Sequence, residues 1–351
     1  MDLSAEARAG GRALLDRLWA RGRAFLGCEH AILGGAMTWV SERNLVAALS
    51  NAGAFGVLAS GAMTPERLSE EIAATRALTA RPFGVNLITL HPQLLDLIAV
   101  CGQHRVGHVV LAGGVPPAPA IAAVKAIGAK LVCFTPALAL GKKLVRSGAD
   151  ALVIEGSEAG GHIGPVSLSV LAQEILPHIA DVPVFVAGGI GRGEAIAAFL
   201  LMGAAGCQLG TRFVCAKEST AHPNFKKAFL RAAARDAVPS VQLDAQFPVI
   251  PVRAIANAAS KRFHDVQRET IAKVQSGGLP LAEGQLAIEH FWAGALRRAA
   301  VEGDVESGSL MAGQSVGMVG KEQPVAEIVA ELVDQAAEHL LRVARRLQGE
   351  D

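Results

Sequence analysis

Short apolar runs rich in β-branched residues alternate with amphipathic stretches over residues 29–234. Apolar runs without polar alternation are typical of parallel strands that are buried on both faces. Eight runs can be counted, and a stretch with helical spacing follows each of them. They cover residues 30–34, 56–60, 82–88, 108–112, 130–135, 151–154, 183–187 and 206–209. Eight strand–helix units predict an α/β fold, a (β/α)8 TIM barrel; an open doubly wound sheet is the alternative, although it usually has fewer strands.

The pattern changes outside this alternation. Residues 1–28 mix apolar and charged positions and predict an N-terminal helical extension. Residues 247–251 form a proline-broken connector, and helices are predicted over 255–275, 282–301 and 324–348. We therefore divide the chain into the extension, a barrel made of residues 29–235 and 305–351, and a helical insert over 236–304. This appendage is expected near the C-terminal mouth of the barrel, as a lid or as a packing or oligomer element.

Composition narrows the possible partners. The chain is 51% hydrophobic and 19% charged, which is sufficient for a large core. Aromatic residues make up 4%, tyrosine is absent, and the net charge is +1 with dispersed basic residues, so nucleic acid is not an expected partner. No apolar run reaches the roughly 20 residues that cross a bilayer, so no membrane association is expected. The five cysteines form no CxxC pair, which is typical of reduced thiols in a cytoplasmic protein.

Glycines follow the last two predicted strands. Gly188 and Gly189 come after the seventh strand, and Gly210 and Thr211 come after the eighth. The loops at these positions of a barrel often bind phosphate through backbone N–H groups, and Thr211 adds a hydroxyl donor. The alternative is that these glycines only make tight turns.

Two other strand ends predict a flat slot beside this phosphate site. Gly35, Ala36 and Met37 follow the first strand with little bulk, and the third strand carries Asn86 at its mouth. FMN would fit such a site, because it has a phosphate for one side and a flat ring system for the slot lined by backbone. A sugar phosphate would need more side-chain donors than these loops carry.

The loop after the sixth strand carries the most chemistry. It contains Glu155, Glu158, Gly160, Gly161 and His162. Histidine can hold or move a proton near neutral pH, so His162 is the candidate catalytic residue; a histidine bonded only to backbone is the alternative. Gly160 and Gly161 would form a backbone wall of the slot. The two carboxylates would bond either to the cofactor or to the loop's own amides; a solvated surface carboxylate is a further alternative for Glu158. No histidine–carboxylate cluster has the spacing of metal ligands, so no metal is expected.

These motifs resemble the FMN-dependent nitronate monooxygenase (2-nitropropane dioxygenase) family, including its enoyl-acyl-carrier-protein reductase II branch. The resemblance covers nearly the whole chain beyond the extension, and its matching stretches are 32–40, 82–86, 155–164, 187–190, 210–213 and 303–317. It implies that Met311 to Gln314 approach the flavin and that His162 is the active-site histidine. It also implies that the glycines at 188, 189 and 210, with Thr211, hold the phosphate. The family's first motif more often has glutamine where this chain has Gly34, so no side-chain contact is expected there.

The resemblance leaves two activities open. The first is oxidation of alkyl nitronates to carbonyl compounds with O2, in which His162 serves as a base or fixes the anion. The second is an NAD(P)H-dependent reductase of enoyl thioesters, in which His162 orients the thioester carbonyl; residues 210–223 and 303–317 look closer to this branch. The first is preferred because the wider family is mostly known by it. A homodimer is a further expectation, as is an acidic acyl carrier protein that meets Lys142, Lys143, Arg146, Lys226 and Lys227.

Overall fold

The computed structural model describes residues 5–349. Its strands are β1 Ile32–Gly34, β2 Gly56–Ala59, β3 Phe83–Ile88, β4 His108–Ala112, β5 Lys130–Phe134, β6 Ala151–Glu155, β7 Gly161–His162, β8 Val184–Ala187, β9 Gly206–Leu209, β10 Ala237–Pro239 and β11 Val252–Ile255. Eight of them pair in parallel in the order β1-β9-β8-β6-β5-β4-β3-β2. The outer strands are joined because the Gly34 N–H donates to the Phe55 carbonyl at 2.9 Å. The predicted TIM barrel is therefore confirmed.

Helices follow the barrel strands and pack around them. They are α1 Ala5–Leu18, α2 Ala20–Leu26, α3 Arg43–Asn51, α4 Pro65–Leu78, α5 Leu94–Gln103, α6 Ala118–Ala126, α7 Leu138–Arg146, α8 Leu168–Ile175, α9 Gly193–Leu201, α10 Thr211–Val214, α11 Pro223–Arg231, α12 Ala258–Gln275, α13 Leu281–His290, α14 Ala295–Ala300 and α15 Val325–Gln348. The residues of β2 and β8 are all buried, as expected for strands covered on both faces. Within residues 5–349, no helix is both long enough and apolar enough to cross a membrane.

The extension consists of two helices where the sequence predicted one. Trp19 lies between α1 and α2; its side chain is fully buried and its indole donates to Asp16 at 3.2 Å. Gly22 of α2 lies directly on the carbonyl of Ala205, which precedes β9. This contact places α2 under the N-terminal end of the barrel. Residues 1–4 of the predicted extension, and residues 350 and 351 of the predicted barrel unit, lie outside the described range.

The insert contains strands that the sequence pattern missed. β10 and β11 pair antiparallel, and β11 also pairs with β7, which lies in the loop after β6. Ile255, predicted to begin a helix, therefore ends a strand, and α12 begins after Asn257, whose side chain caps it. The helix predicted over 282–301 is two helices, α13 and α14, separated at Gly294. A small apolar cluster of Phe247, Phe263 and Ile288 holds the insert together.

Candidate active site

The loops after β1 and β9 lie side by side at the C-terminal mouth of the barrel. The Gly35 N–H donates to the Leu209 carbonyl at 2.8 Å. A Cβ added at Gly210 would lie 3.4 Å from Met37 Sδ. Ser41 lies two residues before α3 but does not cap that helix; its hydroxyl donates to the Gly35 carbonyl at 2.8 Å and so fixes the β1 loop. The predicted flavin-lining residues of this loop are therefore next to the predicted phosphate residues.

The segment from Met311 to Gln314 joins two of these loops. The Gln314 N–H donates to the Glu158 carbonyl at 2.9 Å, in the loop after β6. The Gly313 N–H donates to Thr211 Oγ1 at 2.9 Å, in the loop after β9. A Cβ added at Gly160 would lie 2.5 Å from the Gly313 nitrogen, so the two backbones touch at that point. The segment is thus built into the mouth of the barrel.

Gly188 and Gly189 lie against the loop after β6. Both have positive φ, 98° and 70°. A Cβ at Gly188 would lie 3.0 Å from the Gly156 carbonyl, and one at Gly189 would lie 2.9 Å from Glu158 Cβ. Glycine is therefore required at both positions by close packing as well as by the backbone conformation. In the part of the chain that the structure describes, neither N–H group has an acceptor, so both are free to bind an anion.

The two carboxylates of the loop after β6 differ in environment. The Glu158 carboxylate accepts a hydrogen bond from the Leu168 N–H at 3.0 Å. It therefore bonds to the backbone at the start of α8. The Glu155 carboxylate has no hydrogen-bond partner among residues 5–349. Its surface is partly reached by solvent, but the surrounding protein desolvates it strongly enough to raise the pKa of Glu155 to about 8.

His162 is held by the insert. Its backbone pairs with Val252 of β11, and the next N–H, that of Ile163, donates to the Pro251 carbonyl at 3.0 Å. No side-chain or backbone group in residues 5–349 bonds to its ring, which argues against the purely structural alternative. The ring is solvent-accessible, yet neighbouring protein atoms desolvate it and lower the pKa of His162. A neutral imidazole at pH 7 can accept a proton.

A cavity of about 530 Å³ lies between His162 and the insert. Met311 lines it together with His162, so the cavity opens toward the predicted flavin site. Most of its wall is apolar and comes from the insert, including Ile255, Phe263, Ile288 and Trp292. Lys261 and His264 of α12 also line it. The sequence pattern did not predict this cavity, because its walls come from elements that are far apart along the chain.

Comparison with known proteins identifies the family. The family model described as nitronate monooxygenase matches residues 21–104 and 93–335. The chain belongs to the nitronate monooxygenase family. A dehydrogenase of Mycobacterium tuberculosis, named for (3aS,4S,5R,7aS)-5-hydroxy-7a-methyl-1-oxo-octahydro-1H-indene-4-carboxyl-CoA, is 31% identical over 343 residues, covering 90% of this chain and 95% of that protein. The nitronate monooxygenase of Paraburkholderia phytofirmans is 28% identical, covering 96% of this chain and 99% of that protein.

Solved structures agree with this membership. FabK from Thermotoga maritima has a TM-score of 0.83 and 34% identity, covering 94% of this chain and 99% of that one. Nitroalkane oxidase from Streptomyces ansochromogenes has a TM-score of 0.74 and 28% identity, covering 92% of this chain and 99% of that one. The family's members are flavin-dependent oxidoreductases, and this nitronate monooxygenase family member is an oxidoreductase.

The residues at the mouth fit FMN. The free N–H groups of Gly188 and Gly189 are suited to a phosphate. The Thr211 hydroxyl accepts a hydrogen bond from Gly313, so its own proton is free to be donated to another acceptor. Asn86 is buried in the second half of β3. Its Nδ2 makes only a long bond, 3.4 Å, to the Val110 carbonyl, so its oxygen is available to a ring edge.

The sequence did not predict a role for Arg212. It follows Thr211 and its side chain is 3% exposed. Its guanidinium donates to Glu331 at 2.9 Å and to Gln323 at 3.2 Å, while Nε and Nη1 have no partner among residues 5–349. The ion pair ties the loop after β9 to α15. Only the fold brings these partners together, so no local sequence signal could have found them.

Trp39 is a second missed residue at the mouth. It has a positive φ of 68°, which is unusual for a bulky residue and is typical of functional loops. Its ring lies 5.8 Å from the Arg297 guanidinium of α14, measured to the ring centroid. This cation–π contact joins the loop after β1 to the insert.

The predicted basic rim for a carrier protein is incomplete. Lys226 is buried, and its ammonium group donates to the Ala216 carbonyl at 2.8 Å and lies 3.5 Å from Glu322. Because this charge is used inside the protein, Lys226 is not available to an acidic partner. Among residues 5–349, no group of three or more histidine, cysteine, aspartate and glutamate side chains could hold a metal ion.

Replacing Glu155 with glutamine tests its environment. The folded-state pKa of about 8 exceeds the ordinary value of 4.5, so the folded protein binds more protons than the unfolded chain between these values. This stabilisation is present below pH 4.5 and is lost as the pH rises through 8. The wild type is therefore expected to lose thermal stability across this window more steeply than Glu155→Gln. Parallel curves of Tm against pH for FMN-free samples of the two proteins would contradict the prediction.

Proposed function

We propose that this chain is an FMN-dependent oxidoreductase that acts on an acyl thioester with a bulky, largely apolar acyl group. The observation that carries the proposal is the cavity of about 530 Å³ between His162 and the insert. Cavities of this size and apolar character suit ligands as large as drug molecules. The nitronate of a small alkane would fill only a fraction of it. The mycobacterial relative, which is named for a bicyclic carboxyl-CoA substrate, supports the same substrate class.

The residues have distinct roles in this proposal. Gly188, Gly189, Gly210 and Thr211 would hold the FMN phosphate. The flavin would be lined by residues 35–37, Asn86, Glu155, Gly160, Gly161 and residues 311–314. Bound FMN supplies the two-electron chemistry. Burial raises the pKa of Glu155 to about 8, so this side chain is mostly a neutral acid at pH 7. It can therefore donate a hydrogen bond to the flavin edge without placing a charge there.

His162 faces the substrate. Because its ring has no hydrogen-bond partner among residues 5–349, a ring nitrogen is free to bond to the thioester carbonyl. Polarising that carbonyl stabilises negative charge on its oxygen, as donors at other acyl sites do. The insert, residues 236–304, acts as a lid, because β11 fixes the backbone of His162 and the insert supplies most of the cavity wall. The division into extension, barrel and lid is part of this proposal.

Lys261 and His264 suit the polar end of such a substrate. They are three residues apart on α12, so they lie on one face of the helix, and both line the cavity. Neither side chain has a hydrogen-bond or ion-pair partner in the described part of the chain. A cation in the wall of an apolar cavity can bind the phosphate of a phosphopantetheine arm. NAD(P)H would be the reductant if the substrate is an enoyl thioester.

Oxidation of nitronates is the second candidate. The specific observation in its favour is the neutral, unpartnered imidazole of His162, which suits a base that removes the acidic C–H proton of a nitroalkane. The Paraburkholderia relative carries the name of this activity. The cavity volume is the reason for placing this candidate second.

Anaerobic flavin spectroscopy distinguishes the two candidates. FMN-loaded protein would be reduced with NADH or NADPH and then mixed with crotonyl-CoA or dodecenoyl-CoA; oxidised protein would be mixed with saturated acyl-CoA or with propyl-2-nitronate. The proposal predicts a change of flavin redox state with the thioesters, faster for the larger acyl group. A flavin that is reduced by the nitronate and does not react with any thioester would contradict it.

Filling the cavity should affect large substrates selectively. Ala254 of β11 lines the cavity. Ala254→Phe is expected to raise KM for dodecenoyl-CoA about tenfold or more, because the ring occupies space that the acyl chain needs. Steady-state kinetics would measure this, with Ala287→Phe on the exposed face of α13 as the matched control. Equal KM values for Ala254→Phe and the control would show that the acyl group lies elsewhere.

A further inference from the structure

A second cavity lies at the opposite, N-terminal end of the barrel. Its volume is about 570 Å³, and its walls come from the end of α2, the α4–β3 and α5–β4 connections and the start of β5. We call it the basal cleft and define it by Phe25, Pro82 and four cationic residues, Arg76, Arg81, Arg105 and Lys130. It is separated from the active site by the whole length of the strands.

The charge of the basal cleft is one-sided. None of its lining residues is an aspartate or a glutamate. One lining cation has a carboxylate partner: Arg81 lies 3.0 Å from Glu29, and both side chains are more than half exposed. The nearby carboxylate of Asp150 is used by Lys125 at 2.7 Å. In a chain with a net charge of +1, four converging cations are a local concentration of positive potential.

The other three cations are held in place without being neutralised. The Arg76 guanidinium donates to the Arg105 carbonyl at 3.3 Å. The Lys130 ammonium donates to the Phe25 carbonyl at 2.5 Å and lies 4.9 Å from the centre of the Phe25 ring. The Arg105 guanidinium has no hydrogen-bond or ion-pair partner within residues 5–349. Their donors are therefore available to a ligand.

His108 adds no charge to this set. Its ring lines the basal cleft and bonds to the Phe25 carbonyl through Nε2 at 2.9 Å. Burial and the neighbouring Lys130 lower the pKa of His108 to about 4. The ring is thus neutral at pH 7, and the positive charge comes from the arginines and the lysine alone.

We propose that the basal cleft binds a small organic phosphate of the nucleotide class. Arg76, Arg105 and Lys130 would bond to the phosphate oxygens, because guanidinium and ammonium donors form strong hydrogen bonds to anionic oxygens. The apolar surface of Phe25 and Pro82 would contact the body of the ligand. The site is separate from the proposed acyl thioester site and does not depend on it.

Calorimetric titration of FMN-saturated protein with ADP tests the proposal. Saturation with FMN occupies the phosphate site at the mouth. We expect ADP to bind the wild type, and to bind the Arg76→Gln/Arg105→Gln double variant about tenfold or more weakly, since charge-assisted hydrogen bonds are lost. The matched control is Arg235→Gln/Arg268→Gln, which removes the same charge from exposed positions elsewhere. It should keep the wild-type affinity.

Three results would overturn the proposal. The first is no binding of ADP to the wild type. The second is an equal loss of affinity in the test and control variants, which would show a response to net charge alone. The third is a change of the flavin absorbance spectrum on addition of ADP, which would place the nucleotide at the mouth. Inorganic pyrophosphate should bind more weakly than ADP, because it cannot use the apolar wall, and equal affinity would remove that part of the proposal.

Discussion

Replacing His162 with alanine is expected to lower kcat about 10²- to 10⁴-fold while FMN remains bound. The loss is expected because the ring is the group that bonds to the substrate, whereas the phosphate loops after β8 and β9 are untouched. Stopped-flow measurement of the flavin redox step, with the FMN content of each sample, checks both parts. The matched control is His178→Ala, since His178 is exposed on the barrel surface. Unchanged kinetics in His162→Ala would remove this residue from the mechanism.

The pH dependence should identify the same group. Desolvation lowers the pKa of His162, so its ring stays neutral to a lower pH than a free histidine does. If the neutral ring is the active form, kcat/KM falls on the acid side with an apparent pKa below the ordinary value for histidine. This acid limb should be absent from the residual activity of His162→Ala. An identical limb in the variant would assign it to another group.

Adding one methyl group at Gly160 is expected to damage the active site. The new Cβ would lie 2.5 Å from the Gly313 nitrogen and 2.6 Å from the Ala312 carbonyl carbon, and both are backbone atoms that cannot turn aside. We expect Gly160→Ala to lower the free energy of unfolding by about 1–3 kcal/mol and to weaken FMN binding, because the loop after β6 must move away from residues 311–314. Thermal unfolding and FMN release measure the two effects.

The matched control is in the same loop. A Cβ at Gly164 would have no heavy atom within 4 Å, so Gly164→Ala should change the free energy of unfolding by less than about 0.5 kcal/mol. If both variants retain wild-type stability and FMN affinity, the contact between the loop and residues 311–314 is not part of the site. If both lose FMN equally, the loop is sensitive to any added side chain, and the close contact is not the cause.

The barrel could be predicted from sequence because its signals are local. A run such as Val184–Ala187 is apolar and β-branched, and it is buried along its whole length. The predicted strands differ from the observed ones by at most two residues at an end; β1 begins at Ile32 where residue 30 was predicted. The fold then brings strand ends together, so Gly35, Gly160, Gly210 and Thr211 could be placed at one mouth before any contact was known.

The parts of the fold and of the site that could not be predicted depend on contacts between distant parts of the chain. The pairing of His162 with Val252 joins the loop after β6 to the insert, and neither segment has a long strand pattern. Arg212 finds Glu331 only after α15 has packed on the barrel. Serine is a common capping residue, yet Glu42 caps α3, while the Ser41 hydroxyl bonds to Gly35. Periodicity carries no information about such partners.

The cavity changes the order of the functional candidates. Sequence resemblance preferred nitronate oxidation because the wider family is mostly known by that activity. The volume between His162 and the insert gives a physical reason to prefer a bulky thioester, and Lys261 and His264 line the same cavity. Both candidates use the same FMN site and the same histidine, so they share one requirement.

That shared requirement is tested most directly by measuring the flavin content of the purified protein. The protein should be saturated with FMN, passed through a desalting column and denatured to release its cofactor for chromatography. We predict about one FMN per chain, and a lower FMN affinity in Gly160→Ala than in Gly164→Ala. A protein that stays colourless after saturation would contradict the assignment of the barrel mouth as a flavin site.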